Sequence, residues 1–255
     1  MDRKLLKIQF TKNRIPAWFC PNCRSGILHP KKDGFLFYET ADSKKSHNHG
    51  DWDPEWVDYN YSLILECSNK SCRETVSSSG IGFVSVEQDY DSVTGYPDLS
   101  YIETFAPKYF YPPLRLFDFP EEVAEDVKNE FKQSFELFYC NPSSSANHIR
   151  IALERLLNHF KIKRFETNEG KKIFLSLHKR IELTSNKFPS LKEYFLALKW
   201  LGNAGSHSNS NISMDDVIDA YEIFEFVLND LFKSKSVKRI VKEINKRKGP
   251  TRKKL

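Results

Sequence analysis

Cys20-Pro21-Asn22-Cys23 lies near the start of this 255-residue chain, and Cys67-Ser68-Asn69-Lys70-Ser71-Cys72 answers it after 43 intervening residues. A tight turn points two thiols spaced by two to four residues the same way. Each turn therefore offers half of a tetrahedral site for one metal ion. The two turns together give Cys20, Cys23, Cys67 and Cys72 as ligands of a single Zn2+. Four thiolates close the coordination shell, so the ion is expected to hold the fold rather than to catalyse. The bland reading of the same residues is four unligated thiols. His47 and His49 are either additional ligands or solvent-facing loop residues. The second pair argues against a redox Cys-x-x-Cys. The fifth cysteine, Cys140, leaves an odd count, which does not suit a disulfide framework.

Outward from the cysteines, Gly34–Ala41, Tyr59–Glu66, Ile81–Gln88 and Tyr101–Phe105 are aromatic and β-branched and read as strands. His47–Pro54 reads as a polar loop. Ala106–Pro120 carries four prolines and reads as an extended connector. Past residue 118 the pattern becomes helical. Pro120 stands where a first helical residue would, and Val123, Val127, Phe131, Phe135 and Phe138 repeat at helical spacing. Asn141-Pro142 then ends that helix, and Ser143–Ser145 cap the next, with Ile149, Leu153, Leu156 and Phe160 on its apolar face. A third helix is predicted from about Lys171. A fourth starts near Pro189 and a last one at Ser213, where Asp216 three residues on suggests a capping box. The fold class is α+β. A small β-rich zinc-binding domain over 1–110 precedes an antiparallel helical bundle over 111–234, and a basic C-terminal tail occupies 235–255.

The formal net charge of +5 hides an asymmetry. Residues 233–255 hold 11 Lys/Arg against Glu243 alone, which leaves the preceding residues at −5. A basic tail suits a polyanion, and Lys238, Arg239, Lys242, Lys246, Arg247 and Lys248 are its candidate nucleic-acid contacts. Its other reading is a solubilising end. Trp18, Trp52, Trp56 and Tyr38 either stack on bases or form the core of the small domain. No run is apolar enough to span a membrane and no secretory leader is recognisable, so a cytoplasmic protein is expected.

Lys199-Trp200-Leu201-Gly202-Asn203-Ala204-Gly205-Ser206-His207 places two glycines in a helical pattern. Each costs about 1 kcal/mol relative to alanine, which points to close packing or a helix end. If the helix continues, Lys199, Asn203 and His207 share one stripe, and Arg150 and Glu154 are likewise four apart on the second helix. Met together in a bundle, these residues would form a polar network or hold a phosphate.

From Tyr111-Pro112-Pro113 to about Phe232 the chain resembles the domain of unknown function 4145. The likeness rests on Pro112, Pro113 and Pro120, on Arg150-x-Ala152-Leu153-Glu154, and on Leu201-Gly202-Asn203-x-x-x-His207. Members of that family often begin with a cysteine-pair zinc module, and some are fused to prokaryotic restriction or other defence components. The helical part is similar to HEPN domains (higher eukaryotes and prokaryotes nucleotide-binding). Active HEPN ribonucleases are metal-independent, are usually dimeric and use Arg-Asn-x-x-x-His. In this sequence Gly202 stands where that arginine would be.

The resemblance and the residues lead to a non-catalytic module, a zinc ribbon plus an HEPN-like bundle. It would bind nucleic acid or a partner protein in prokaryotic antiviral defence, with a homodimer possible and no membrane role. The alternative is a metal-independent endoribonuclease. His207 would then be the general acid/base and Asn203 the phosphate-orienting group. Arg150 or Lys199 would supply the charge, and Glu154 would hold the arginine. A third reading uses the same cluster only to sense a nucleotide.

Overall fold

The structure is a computed structural model and describes residues 2–90, 97–205 and 212–247. The chain divides into two compact units at Arg115/Leu116. The architecture is α+β, with an antiparallel four-stranded sheet followed by a helical region.

The first unit opens with a short helix, α1 (Arg3–Lys7), capped by the Asp2 carboxylate. The sheet follows as β1 (Leu28–Glu39), β2 (Asp58–Cys67), β3 (Thr75–Tyr90) and β4 (Pro97–Tyr111), in that spatial order. Between β1 and β2 lie α2 (Ala41–Ser46) and a 3-10 turn over Pro54–Trp56, and the expected polar loop from His47 runs between them. One face of the sheet packs aromatics around Phe105, which is fully buried and meets Phe35 at 4.9 Å and Phe37 at 5.0 Å. Trp18 is buried against Phe110 at 5.0 Å. The segment before β1 also bonds the sheet. Phe10 exchanges backbone hydrogen bonds with Phe105 of β4, and the Leu28 amide of β1 donates to the Trp18 carbonyl.

The expected connector over 106–120 is corrected in its first part, because β4 runs on to Tyr111. Pro107 fits there because β4 is an edge strand of the four-stranded sheet, bridged on its outer side by Phe10 at Phe105, and the register with β3 shifts at Ser79/Gly80 opposite the proline.

The second unit contains α3 (Glu125–Leu137), α4 (Pro142–His159), the hairpin β5 (Phe165–Asn168) and β6 (Lys171–Phe174), and α5 (Leu177–Leu183). After these come α6 (Lys192–Ala204), α7 (Met214–Leu228) and α8 (Ser234–Arg247). Its core is aromatic, with Phe131 at 4.7 Å from Phe224 and 5.0 Å from Phe117. Three sequence expectations change. The first helix begins at Glu125, five residues past Pro120. Asn141-Pro142 does not close that helix but starts the next: the Asn141 side chain accepts from the Ser144 amide, and Pro142 is the first helical residue. Lys171–Phe174 is a strand rather than the start of a helix, paired with 165–168 through a two-residue turn at Glu169-Gly170. Both turn residues have positive φ, as such hairpins require. The capping box at Ser213 and Asp216 is present. Among the described residues, no helix is long and apolar enough to cross a membrane.

The bundle core holds one polar knot. Ser134 of α3, Ser145 of α4 and Tyr221 of α7 are buried, and the Tyr221 hydroxyl lies 2.8 Å from Ser134 Oγ and 2.9 Å from Ser145 Oγ. Each serine also donates to the other's carbonyl at 2.9 Å. Burial raises the Tyr221 pKa above its ordinary value, so the phenol stays protonated and available for this network. Tyr221→Phe leaves both serines with their carbonyl bonds and removes only the shared one. It should cost about 1–2 kcal/mol in urea unfolding. A larger loss would show that the hydroxyl also positions the helices, and none would show that the third bond is redundant.

Candidate metal centre

The four cysteines come from two turns of like construction. Cys20 and Cys23 precede β1. Cys67 is the last residue of β2, and Cys72 lies in the turn to β3. In the first turn the Arg24 amide donates back to the Cys20 carbonyl at 3.0 Å. In the second the Arg73 amide donates to Asn69 at 3.0 Å. Arg24 and Arg73 both take positive φ, 58° and 49°, which turns the chain away once the sulfurs are placed.

All four sulfurs lie within 4.8 Å of one another. Cys20 and Cys72 are 3.8 Å apart, and Cys23 and Cys67 are 3.6 Å apart. A tetrahedral ion with metal–sulfur bonds of about 2.3 Å separates its sulfurs by about 3.8 Å. The donor set therefore fits one metal ion. No cysteine forms a disulfide. Amide donors support the sulfurs: the Asn69 backbone N–H reaches Cys67 Sγ at 3.4 Å, and Asn22 Nδ2 reaches Cys72 Sγ at 3.6 Å.

The electrostatics divide the four thiols. Burial pushes Cys67 up to about 12 and raises Cys20. Cys23 falls to about 5, chiefly through the Ser25 hydroxyl and further through the Ser25 and Gly26 amides. One thiolate forms readily, whereas the buried pair resists ionising until a cation compensates it.

Gly26 belongs to the site although its chemistry did not single it out. A Cβ there would overlap Cys67 Sγ. The signal lay in the sequence as a glycine three residues after Cys23. Neither histidine joins the cluster: His47 Nε2 lies 2.7 Å from a Glu39 oxygen, and His49 faces Asp51. Among the candidate base-stacking residues, Trp18 is core, whereas Tyr38 and Trp56 are exposed and Trp52 packs on His47 at 4.6 Å.

The second group of candidates lies on α4 and α6. Arg150 Nη2 pairs with Glu154 at 3.2 Å, one helical turn away. Gly202 packs on this residue, and a Cβ at 202 would overlap Arg150 Cβ and sit 3.1 Å from the Ala146 carbonyl. Gly205 meets the Ser143 carbonyl in the same way. The two glycines thus let α4 and α6 approach at a crossing where side chains would collide. Lys199 is buried, with its Nζ 3.6 Å from the Trp200 ring centroid. Asn203 follows Gly202 on α6, and the rest of the expected stripe, His207, lies outside the described residues.

Ser234–Arg247 of the basic segment form α8. Lys242 and Lys246 are exposed, and Lys238, Arg239 and Arg247 lie on the same helix. Lys248 is outside the described residues.

Two family models match the chain. One is a domain of unknown function (DUF8608), over residues 8–110. The other is a domain of unknown function (DUF4145), over residues 132–247. The second takes in both arms of the α4/α6 crossing and the basic helix α8, and it leaves out the prolines at 112, 113 and 120. No curated protein and no solved structure matches the chain.

Proposed function

We propose that this chain is a non-catalytic nucleic-acid-binding protein. In this reading the first unit is a zinc-ribbon-like module stapled by a structural Zn2+, and the helical unit is an HEPN-like bundle ending in a basic arm. Four thiolates and a single-ion geometry favour zinc. The observation that carries the binding reading is α8. It is a helix that displays Lys242 and Lys246 to solvent within a segment of net charge +10, on a chain that is otherwise net acidic. A prokaryotic defence setting rests on the family resemblance alone.

The α4/α6 crossing supports the non-catalytic half. An arginine before Asn203 would be the phosphate clamp of an HEPN ribonuclease, and its place is filled by a glycine against which Arg150 packs. Lys199 is a poor substitute, because an ammonium lacks the planar fork of a guanidinium and this one is buried over Trp200.

A gel-shift titration of labelled single-stranded RNA in EDTA, with wild type and a chain ending at residue 234, tests both halves. The wild type should shift the RNA and leave it intact. Its affinity should fall steeply with salt, by about 0.7 log units per phosphate contact per tenfold rise. The shortened chain should bind at least tenfold more weakly. Equal binding by both would remove α8 from the argument, and cleaved RNA would return the ribonuclease to first place.

A further inference from the structure

A second polar site lies within the helical unit, away from the cysteines and α8. The end of α4, the hairpin β5–β6 and α5 wall a cleft of about 230 Å³. Glu154, Arg155 and Asn158 of α4, Arg164 just before β5, Phe174 at the end of β6 and Arg180 of α5 line it.

Arg180 is the unusual member. It is 5 % exposed. Its Nε donates to the Lys163 carbonyl at 3.2 Å, and its Nη2 donates to Asn158 Oδ1 at 2.7 Å and to the Ile162 carbonyl at 3.4 Å. It forms no ion pair among the described residues, and its Nη1 makes no hydrogen bond to them. Burial disfavours its charge, Glu154 offsets part of that, and Arg164 adds to it. Bracing the carbonyls beyond α4 accounts for two edges of this guanidinium. It does not account for two further arginines at the same opening.

The neighbours leave the charge largely unanswered. Glu154 is engaged by Arg150 at 3.2 Å. Arg155 reaches Glu130 only at 3.6 Å, and Glu130 also accepts from His148 at 2.9 Å. Arg164 is exposed, and its guanidinium lies over the Phe165 ring. Its carbonyl accepts from the Leu175 amide at 2.9 Å, which fixes it beside the end of the hairpin. Three guanidinium groups therefore converge on one small opening that has one carboxylate, itself already paired.

We propose that this cleft binds the terminal phosphate of a nucleotide. Arginine forks match phosphate oxygens, and an unpaired buried guanidinium gains most from a dianion. The volume is below the roughly 300 Å³ at which pockets enclose a drug-sized ligand, so the phosphate group enters and the rest stays outside. Phe174, 70 % exposed at the rim, offers that remainder a flat face for a base. A free mononucleotide and the 5′-phosphorylated end of a strand present the same group. The inference goes beyond the α8 reading and does not depend on it.

Calorimetric titration of the full chain with AMP and adenosine, and with 5′-phosphoryl and 5′-hydroxyl RNA decamers, tests it. Arg155→Gln and Arg164→Gln serve as variants, since both side chains are exposed and should not be needed for folding. AMP should bind at least tenfold more tightly than adenosine, or the phosphorylated decamer at least tenfold more tightly than the hydroxyl one. The first preference alone assigns a small ligand and the second a strand end. Each variant, shown folded by circular dichroism, should lose most of that preference. Absence of any phosphate preference, or its persistence in both variants, would overturn the proposal. Binding of the 5′-hydroxyl decamer that depends on α8 would stand in either case, so the two readings fail separately.

Discussion

Purified protein is expected to contain one zinc ion per chain, and Cys67→Ser is expected to lose both the ion and the fold of residues 2–115. Cys67 tests the site because it is buried, ends β2 and lies 3.6 Å from Cys23. A structural zinc contributes about 10–16 kcal/mol in zinc-finger peptides at neutral pH. That matches or exceeds the roughly 5–15 kcal/mol by which a whole domain is stable, so losing a ligand should unfold the unit rather than loosen it. Metal analysis and circular dichroism check this together. The helical signal of the second unit should survive, while the sheet signal and the near-ultraviolet signature of buried Trp18 should go. Acid should act in the same direction. The metal binds thiolates, and burial raises the Cys20 and Cys67 thiols, so protons compete harder as pH falls. The metal's contribution is therefore present at neutral pH and lost on acidification. Iron in place of zinc would leave the geometric argument standing and correct the metal. A metal-free protein that melts like the loaded one would sink it.

Gly202→Arg restores the residue type of an HEPN nuclease motif and is expected to destabilise the bundle instead of creating an enzyme. Even Gly202→Ala places a Cβ on top of Arg150 Cβ at the α4/α6 crossing. Alanine is a better helix former by about 1 kcal/mol, but overpacking a close contact costs about 1–3 kcal/mol. Gly202→Ala should therefore be neutral to about 2 kcal/mol less stable. Gly202→Arg, whose longer side chain has to leave the same crossing, should lose several degrees of melting temperature or fail to accumulate. Scanning calorimetry of the three proteins decides the order. If Gly202→Ala melts higher than wild type, the crossing is looser than its geometry says. If Gly202→Arg folds and cuts RNA in EDTA, the glycine is what silences an otherwise intact site.

The cysteine site was legible because metal geometry imposes short, fixed spacings that survive in sequence. The four strands were legible as aromatic runs, though β4 was cut short: proline reads as a breaker, and only the pairing shows that Pro107 sits on an edge strand. Phe165–Phe174 was read partly as helix because its apolar positions fit either period. The signal that decides it is the Glu169-Gly170 turn, where φ is positive at both residues. Asn141-Pro142 shows a similar ambiguity, since the same dipeptide can end one helix or cap the next, and tertiary packing chose the cap. The arginine cleft had no sequence signal. Arg155, Arg164 and Arg180 share no spacing, and only the fold-back of the hairpin and α5 gathers them.

The segment that carries the first two cysteines also touches both margins of the sheet, through Phe10 on β4 and Trp18 on β1. A strand margin left bare is a template on which another chain can add. An ion held by Cys20 and Cys23 would therefore do more than lower the energy of one molecule. It would also hold in place the segment whose Phe10 and Trp18 cover backbone on β4 and β1. Without such an ion that backbone would become a template for another chain, so self-association is the expected fate of the metal-free form.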